Sequence, residues 1–286
     1  MYDSPNLRLT AGEIERYRQD GFLVIDGVLG SDWIQRLRSA CESALVREKA
    51  AELGSANAFH LPEIALVHPD FMDTAKHPAI VERLKSLIGE NIQLHHSKMA
   101  TKPSSSASGV RWHQDAPYIP HTNSDLLTVM VMLDDATPEN GCMQMAKGSH
   151  KCGAYTDLSG SFYSAPDSDI PAQFQNLEVV NIEPKAGGIS IHSSLTLHSS
   201  PANLSGKPRR GIAFQYRADD CYQLAGFVTR ETGILVAGSH QFRVRCDASI
   251  INVPMKIRQP QPLTPSPDSK LTENAWHQEG EFAKIR

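Results

Sequence analysis

A mainly β protein with helices gathered at its N-terminal end is what this sequence predicts, and three features predict it. The first ninety residues carry helix start and stop signals with apolar residues at helical spacing. From residue 92 to 217 the chain breaks into short runs rich in β-branched residues. Gly, Pro, Asn and Ser punctuate those runs, as in barrels and double-sheet jelly rolls. The expectation is therefore α+β in content with a β core, and parallel α/β layers are disfavoured.

Taken in order, Thr10-Ala11-Gly12-Glu13 has the form of a capping box, so a helix should run through Ile14 to Gln19 and end at Gly21. Phe22-Leu23-Val24-Ile25 reads as a short strand. Ser31 is the expected cap of a second helix, on which Ile34, Leu37, Ala40 and Leu45 fall near one face. A third helix is expected over 79–88, stopped by Gly89. Strands are then expected over 92–99, 110–115, 126–133, 142–146, 177–182, 189–192 and 211–217. The proline-rich run from Gln259 to Pro267 reads as a semi-rigid connector, and no internal repeat is visible. The simplest organisation is one domain over 1–286, with a helical part (1–90), a β core (91–220) and a C-terminal extension (221–286).

Composition narrows the class. With 40% hydrophobic and 21% charged residues the chain is an ordinary globular protein, and its formal charge of −4 disfavours a general nucleic-acid binder. No apolar stretch reaches the length of a membrane span, and the N-terminus lacks the form of a secretory leader. Five cysteines without a Cys-x-x-Cys pair suit a reducing cytoplasm better than a disulfide scaffold. The expected partners are a small-molecule substrate, no nucleic acid and no membrane, with the chain as monomer or homodimer.

Chemistry enters at Arg111-Trp112-His113-Gln114-Asp115. On a strand, positions i and i+2 share a face, so His113 and Asp115 can offer an imidazole and a carboxylate to one metal. Such a pair is common by chance, and the bland reading is a polar strand end. A second segment, from Ile189 through His192 and His198 to Arg209 and Arg210, lies far enough downstream to supply a third ligand from another strand. Two histidines and one carboxylate with open positions suit a non-haem Fe(II) oxygenase. Arg209, eleven residues after His198, can return beside the metal and grip a carboxylate through two parallel hydrogen bonds.

Three ordered motifs carry a resemblance. These are the His113-x-Asp115 pair, the stretch Asp135 to His150 containing Glu139-Asn140-Gly141 and Gly148-Ser149-His150, and the run from His198 through Ser200, Asn203 and Ser205 to Arg209. Over residues 10–220 the sequence resembles the phytanoyl-CoA dioxygenase family, with Ala146 standing where that family usually has Pro. The resemblance implies a double-stranded β-helix of cupin-like jelly-roll form. It implies iron held by His113, Asp115 and His198, and 2-oxoglutarate held by Arg209 with Ser200 assisting. It also implies O2 as cosubstrate, with succinate and CO2 as products. His96, Lys98 and Lys102, on or just after the preceding strand, are candidate contacts to cosubstrate or substrate, and Thr128 and Met130 candidate pocket residues. Because the carboxylate of Asp115 is present, hydroxylation or a desaturating or ring-forming variant is expected in place of halogenation. The basic residues near the His-x-Asp pair favour a compact polar or anionic metabolite such as an amino acid or aminophosphonate.

Other residues have plainer readings. Alternation lets only one of His95 and His96 face inward. His150 reads as structural, Trp112 as packing, and Met130, Met132, Met143 and Met145 as core filling; His192, six residues before His198, can face the cavity but reads first as a satisfied core histidine. Lys98, Lys102 and Arg111 can equally form a solvated rim. Arg210 competes with Arg209 for the inward position, and the resemblance selects Arg209. Two further functions compete with the dioxygenase: a cupin-like isomerase or hydrolase using zinc or manganese, which has no need of Arg209, and a metal-binding module without catalysis.

Overall fold

The computed structural model describes residues 7–52, 60–104, 109–155, 170–224 and 231–248. All lie within one compact unit, Met1–Met255. The proline-rich run from Gln259 lies outside the described residues.

Helix α1 (Ala11–Asp20) begins at the expected capping box: the Thr10 side chain accepts from the Glu13 N–H, and the Glu13 carboxylate accepts from the Thr10 N–H. It ends at Gly21, whose φ of 88° is left-handed. Strand β1 (Phe22–Ile25) follows. Helix α2 (Ser31–Cys41) differs from expectation at both ends. Its N-cap is Gly30, without a side-chain cap, and Ser31 is already helical. The chain then breaks at Glu42, so Leu45 lies on a separate helix α3 (Ala44–Glu52) and is 49% exposed.

Strand β2 (His60–Pro62) and the short helices α4 (Ile64–Val67) and α5 (Pro69–Ala75) were not anticipated. They are too brief for periodicity to register. Helix α6 (Pro78–Ile88) matches the expected third helix, with Gly89 as its C-cap.

The remaining strands are β3 (Ile92–Lys102), β4 (Val110–His113), β5 (Leu126–Met132), β6 (Met143–Ala146), β7 (Val179–Ile182), β8 (Ile189–Ser193), β9 (His198–Ser200), β10 (Arg209–Ala218) and β11 (Ile234–Ala237). They form two antiparallel sheets. One runs β1-β8-β5-β10-β3-β11, with β2 also on β3, and the other runs β4-β9-β6-β7. This is the jelly-roll layout expected. The large sheet recruits β1 from the helical N-terminal part and β11 from beyond residue 220, so it reaches past the expected core boundaries on both sides.

Alternation gives the large sheet two unlike faces. Leu127, Val129 and Val131 of β5 and Ile212, Phe214 and Tyr216 of β10 pack with Ile34 and Leu37 of α2, Phe71 of α5 and Ile80 and Leu84 of α6. Fully burying each such side chain contributes about 1.5–3 kcal/mol, so this helix-covered face is the main source of stability. The opposite face carries Thr128, Met130 and Met132 of β5. Beside them across the strand pairs stand Gln215, Ala213 and Gly211 of β10 and His192 and Ser190 of β8. On β3 the same rows continue as His96, Lys98, Ala100 and Lys102. Every residue of β5 is buried, as suits a central strand covered on both faces.

Candidate active site

His113 ends β4 and is the register partner of His198 on β9. Their rings lie 4.1 Å apart, centroid to centroid. Each ring is oriented by its own backbone: His113 Nδ1 bonds the Arg111 carbonyl at 2.8 Å and His198 Nδ1 the Thr196 carbonyl at 2.9 Å. A carbonyl only accepts, so Nδ1 carries the proton in both rings and Nε2 is left as the lone-pair donor. Burial pushes both imidazoles below their ordinary range, His198 well below it, so both are neutral at physiological pH.

Asp115 does not sit on a strand as expected. The ladder stops at His113, and Asp115 (φ −74°, ψ −40°) opens a 3-10 turn over Ala116–Tyr118. Pro117 has no N–H to extend a strand, and the Ala116 N–H bonds the Ser194 carbonyl instead. The turn still delivers the carboxylate to the histidines, with Oδ1 3.9 Å from His113 Nε2 and 4.0 Å from His198 Nε2. Burial alone would raise this carboxyl, but His192 beside it and the nearby Lys98 charge outweigh burial and hold it well below the usual carboxylate range.

One ligand atom from each of His113, Asp115 and His198 lies within 4.8 Å of the other two. Ligand atoms each about 2.1 Å from one ion stand roughly 3 to 4 Å apart, so the trio can hold a single cation. Two neutral imidazoles and one carboxylate suit ferrous iron with vertices left open.

Arg209 stands at the start of β10, 4% exposed, and burial lowers its guanidinium to about 10. Nη1 donates to the Gly141 carbonyl at 2.5 Å and approaches Ser200 Oγ at 3.5 Å. Nε has no partner among the described residues. The guanidinium faces a small cavity lined by Met130, Met132, Met143 and Ser190, whose buried Oγ is also without a partner. Three of the four methionines read as core filling thus line this cavity. Met145 is fully buried. Arg210 points the other way, with Nε and Nη2 each 2.9 Å from an oxygen of Asp134.

The other anticipated residues divide. Thr128 reaches the centre: its Oγ1 donates to Asp115 Oδ2 at 3.0 Å. Lys98 lies on the inner face, half-buried, without a hydrogen-bond or ion-pair partner among the described residues. Lys102 is the register partner of Arg209, and its ammonium donates to the Ser200 carbonyl at 2.9 Å and to that of Pro201. It thereby anchors the backbone after His198. Ser200 Oγ donates to the Gly141 carbonyl at 2.8 Å. His95 and His96 depart from strict alternation. A bulge opposite Gln215 and Tyr216 leaves His95 without a register partner, and the two Nδ1 atoms meet at 2.8 Å. His192 is not a satisfied core histidine: neither ring nitrogen has a partner among the described residues, and Nε2 stands 3.8 Å from Asp115 Oδ2. Gln215, which also contacts Asp115, was not singled out from the sequence; its signal was its place on the inner face of β10.

The sequence motifs find physical roles around this centre. A Cβ on Gly141 (φ 70°) would meet the Pro201 carbonyl at 2.3 Å, so the Glu-Asn-Gly turn can pack there only with glycine. Asn203, fully buried, donates to the carbonyls of Pro103 and Lys207 at 2.8 Å and fixes the turn into β10. Ser149 Oγ accepts from the Leu197 N–H at 2.8 Å, next to His198, and His150 bonds the Arg18 carbonyl at 3.1 Å, a structural role.

The family model for phytanoyl-CoA dioxygenase (PhyH) matches residues 17–211, well over half of the chain. The chain belongs to the phytanoyl-CoA dioxygenase family. Iron and 2-oxoglutarate dependence characterises this family of oxygenases. A probable alpha-ketoglutarate-dependent hypophosphite dioxygenase of Stutzerimonas stutzeri is 37% identical over 151 residues, 51% of this chain and 52% of that protein, so the match spans about half of that relative's length. An ectoine dioxygenase of Bordetella bronchiseptica is 24% identical over 237 residues, 73% of this chain and 76% of the relative. Among solved structures, the non-haem alpha ketoglutarate dependent carbocyclase SnoK from nogalamycin biosynthesis is similar with a TM-score of 0.66 at 23% identity, covering 77% of this chain and 88% of that one. That last likeness bears on the PhyH-family jelly roll alone. Among the described residues no helix is long and apolar enough to cross a membrane.

Proposed function

We propose that the protein is an Fe(II)- and 2-oxoglutarate-dependent dioxygenase that hydroxylates a C–H bond of a small polar or anionic metabolite. The observation that carries this reading is the pairing of two features: His113, Asp115 and His198 turned to one point, and the buried Arg209 facing a cavity with an unpartnered Nε. A cupin-like isomerase or hydrolase explains the first feature and leaves the second without a purpose.

His113 Nε2, His198 Nε2 and Asp115 Oδ1 would hold the metal. When bound, ferrous iron with 2-oxoglutarate and O2 supplies the oxidising chemistry, releasing succinate and CO2. The chain's own residues do the rest. Arg209, which lines a methionine-rich cavity, would grip the distal carboxylate of 2-oxoglutarate, with Ser190 Oγ as a second donor. Ser200 and Lys102 hold Arg209's surroundings in place through the carbonyls of Gly141, Ser200 and Pro201. Met130, Met132 and Met143 line that cavity, and their apolar side chains would strengthen an ion pair formed there.

Lys98 supports the choice of substrate. Its ammonium is near enough to Asp115 for its charge to help hold that carboxyl ionised, and it has no anion of its own among the described residues. A substrate bearing a carboxylate or phosphonate would meet this cation, while His96 beside it stays neutral, its pKa lowered by burial to about 3. Cytoplasmic residence belongs to the same reading, since five free thiols and ferrous iron persist in a reducing compartment.

Anaerobic addition of Fe(II) and 2-oxoglutarate tests the chemistry, because their chelate gives a visible charge-transfer band in a site of this kind. Well-folded, metal-loaded protein without the band would remove the proposal. O2-uptake screening of amino acids and phosphonates, repeated on Lys98→Met, tests the substrate class: anionic substrates should lose turnover in that variant while 2-oxoglutarate binding is kept.

A further inference from the structure

The Asp115 carboxylate has two chemically distinct oxygens. Oδ1 faces the histidine nitrogens at 3.9 and 4.0 Å. Oδ2 turns to the large sheet, where it accepts from Thr128 Oγ1 at 3.0 Å and Gln215 Nε2 at 3.3 Å, with His192 Nε2 at 3.8 Å. These three residues form one rung of the sheet, since Thr128 is the register partner of Gln215 on one side and of His192 on the other. Gln215 Nε2 also donates to Thr128 Oγ1 at 3.2 Å, leaving the Thr128 hydroxyl proton directed at the carboxylate. The amide orientation of Gln215 is forced by polarity: its Oε1, buried and without a partner, would repel the carboxylate if the group were reversed.

We infer that Thr128 and Gln215 form a cradle that positions Asp115 as a one-oxygen metal ligand. The inference rests on the metal site proposed above and deepens it. With Oδ2 occupied by two donors, the carboxylate has a single oxygen to give. A carboxylate gripping through both oxygens would close a vertex that a chelating cosubstrate or O2 requires. The arrangement also explains how the turn at Asp115, off the end of its strand, holds its side chain to one direction: the restraint comes from the facing sheet. Neither Thr128 nor Gln215 belongs to the trio that can hold the cation, so they are positioning residues.

The test is Mn(II) binding by the full-length, metal-stripped protein, followed by the electron paramagnetic resonance signal of the free ion, for wild type, Asp115→Ala, Thr128→Val, Thr128→Ser, Gln215→Leu and the Thr128→Val/Gln215→Leu pair. Removing groups that orient a ligand weakens metal affinity about ten- to hundred-fold, and the paired variant should lose that much. Thr128→Val keeps the shape and loses the donor, whereas Thr128→Ser loses the methyl group and keeps the donor. The Ser variant should therefore bind Mn(II) near the wild-type level and the Val variant more weakly. Equal losses in both, or a greater loss in Ser, would mean that packing and not the hydrogen bond matters, and would overturn the inference. If the paired variant fails to fold, the comparison of Ser with Val decides alone. Asp115→Ala separates the two levels. Wild-type affinity in Asp115→Ala overturns the metal site and the cradle together. Loss in Asp115→Ala with wild-type affinity in every cradle variant leaves the site standing and removes the cradle.

Discussion

His113 and His198 are direct register partners across β4 and β9, with their ring centroids 4.1 Å apart and both Nδ1 atoms tied to carbonyls two residues back in the chain. The same local device therefore orients both rings, and it exposes Nε2 in each. Replacing either residue by Ala should abolish both metal retention and 2-oxoglutarate-dependent succinate formation while the fold remains, because the main core lies on the helix-covered face of the other sheet. Metal analysis after dialysis and a succinate assay check this. Wild-type succinate yield from His198→Ala would contradict the assignment.

Arg209 leads to a second expectation. Its planar fork can give two parallel hydrogen bonds to one carboxylate, and a lysine can give only a point charge. Arg209→Lys should weaken 2-oxoglutarate binding about ten- to a hundred-fold, the equivalent of losing one charge-assisted hydrogen bond of about 1.5–3 kcal/mol. Metal affinity should stay near the wild-type value. Titrating 2-oxoglutarate into the anaerobic Fe(II) protein separates the two effects, and an unaltered 2-oxoglutarate affinity would show that the carboxylate sits elsewhere.

Much of this architecture was legible in the sequence, and the parts that were not share a physical cause. The capping box at Thr10 and Glu13 and the strands β3, β5, β8 and β10 are local patterns with enough residues to register. The three-residue strands β2 and β9 have stability only through pairing with β3, β4 and β6, and nothing local announces them. Asp115 was found by its spacing from His113, although the strand behind that argument ends early and a proline turn replaces it. His95 and His96 misled because a bulge in β3 is set by the register with β10. Gln215 was passed over and His192 was read as a satisfied core residue because each approaches Asp115 only when the two sheets close on one another.

Gly141 links the turn before β6 to the Arg209 guanidinium. Its carbonyl accepts from both Arg209 Nη1 and Ser200 Oγ, and its φ of 70° leaves no room for a Cβ beside the Pro201 carbonyl. Gly141→Ala must move that turn, so it should cost about 1–3 kcal/mol of stability and loosen Arg209 at once. The expected result is a lower urea midpoint together with a raised KM for 2-oxoglutarate. A variant that loses stability with its KM unchanged would separate the turn from the guanidinium.

The buried histidines make stability depend on pH. Burial lowers His96 and His121 each to about 3, and both pack near His95, whose pKa is lowered for the same reason. Unfolded histidine titrates near 6.5, so between about 3 and 6.5 the unfolded chain binds protons that the folded chain refuses, and stability falls as pH drops through that window. One such group lowers unfolding free energy by about 2 kcal/mol between pH 7 and pH 5. His121 is a clean probe: it is 6% exposed, its Nδ1 donates to the Ile119 carbonyl, and an Asn amide can replace that donor without titrating. Urea unfolding of metal-free protein at the two pH values should therefore give a smaller pH-dependent loss for His121→Asn than for wild type. The metal-site histidines contribute equally to both proteins and cancel in the comparison. An identical loss in the two would mean that His121 is protonated as readily in the fold as in the unfolded chain.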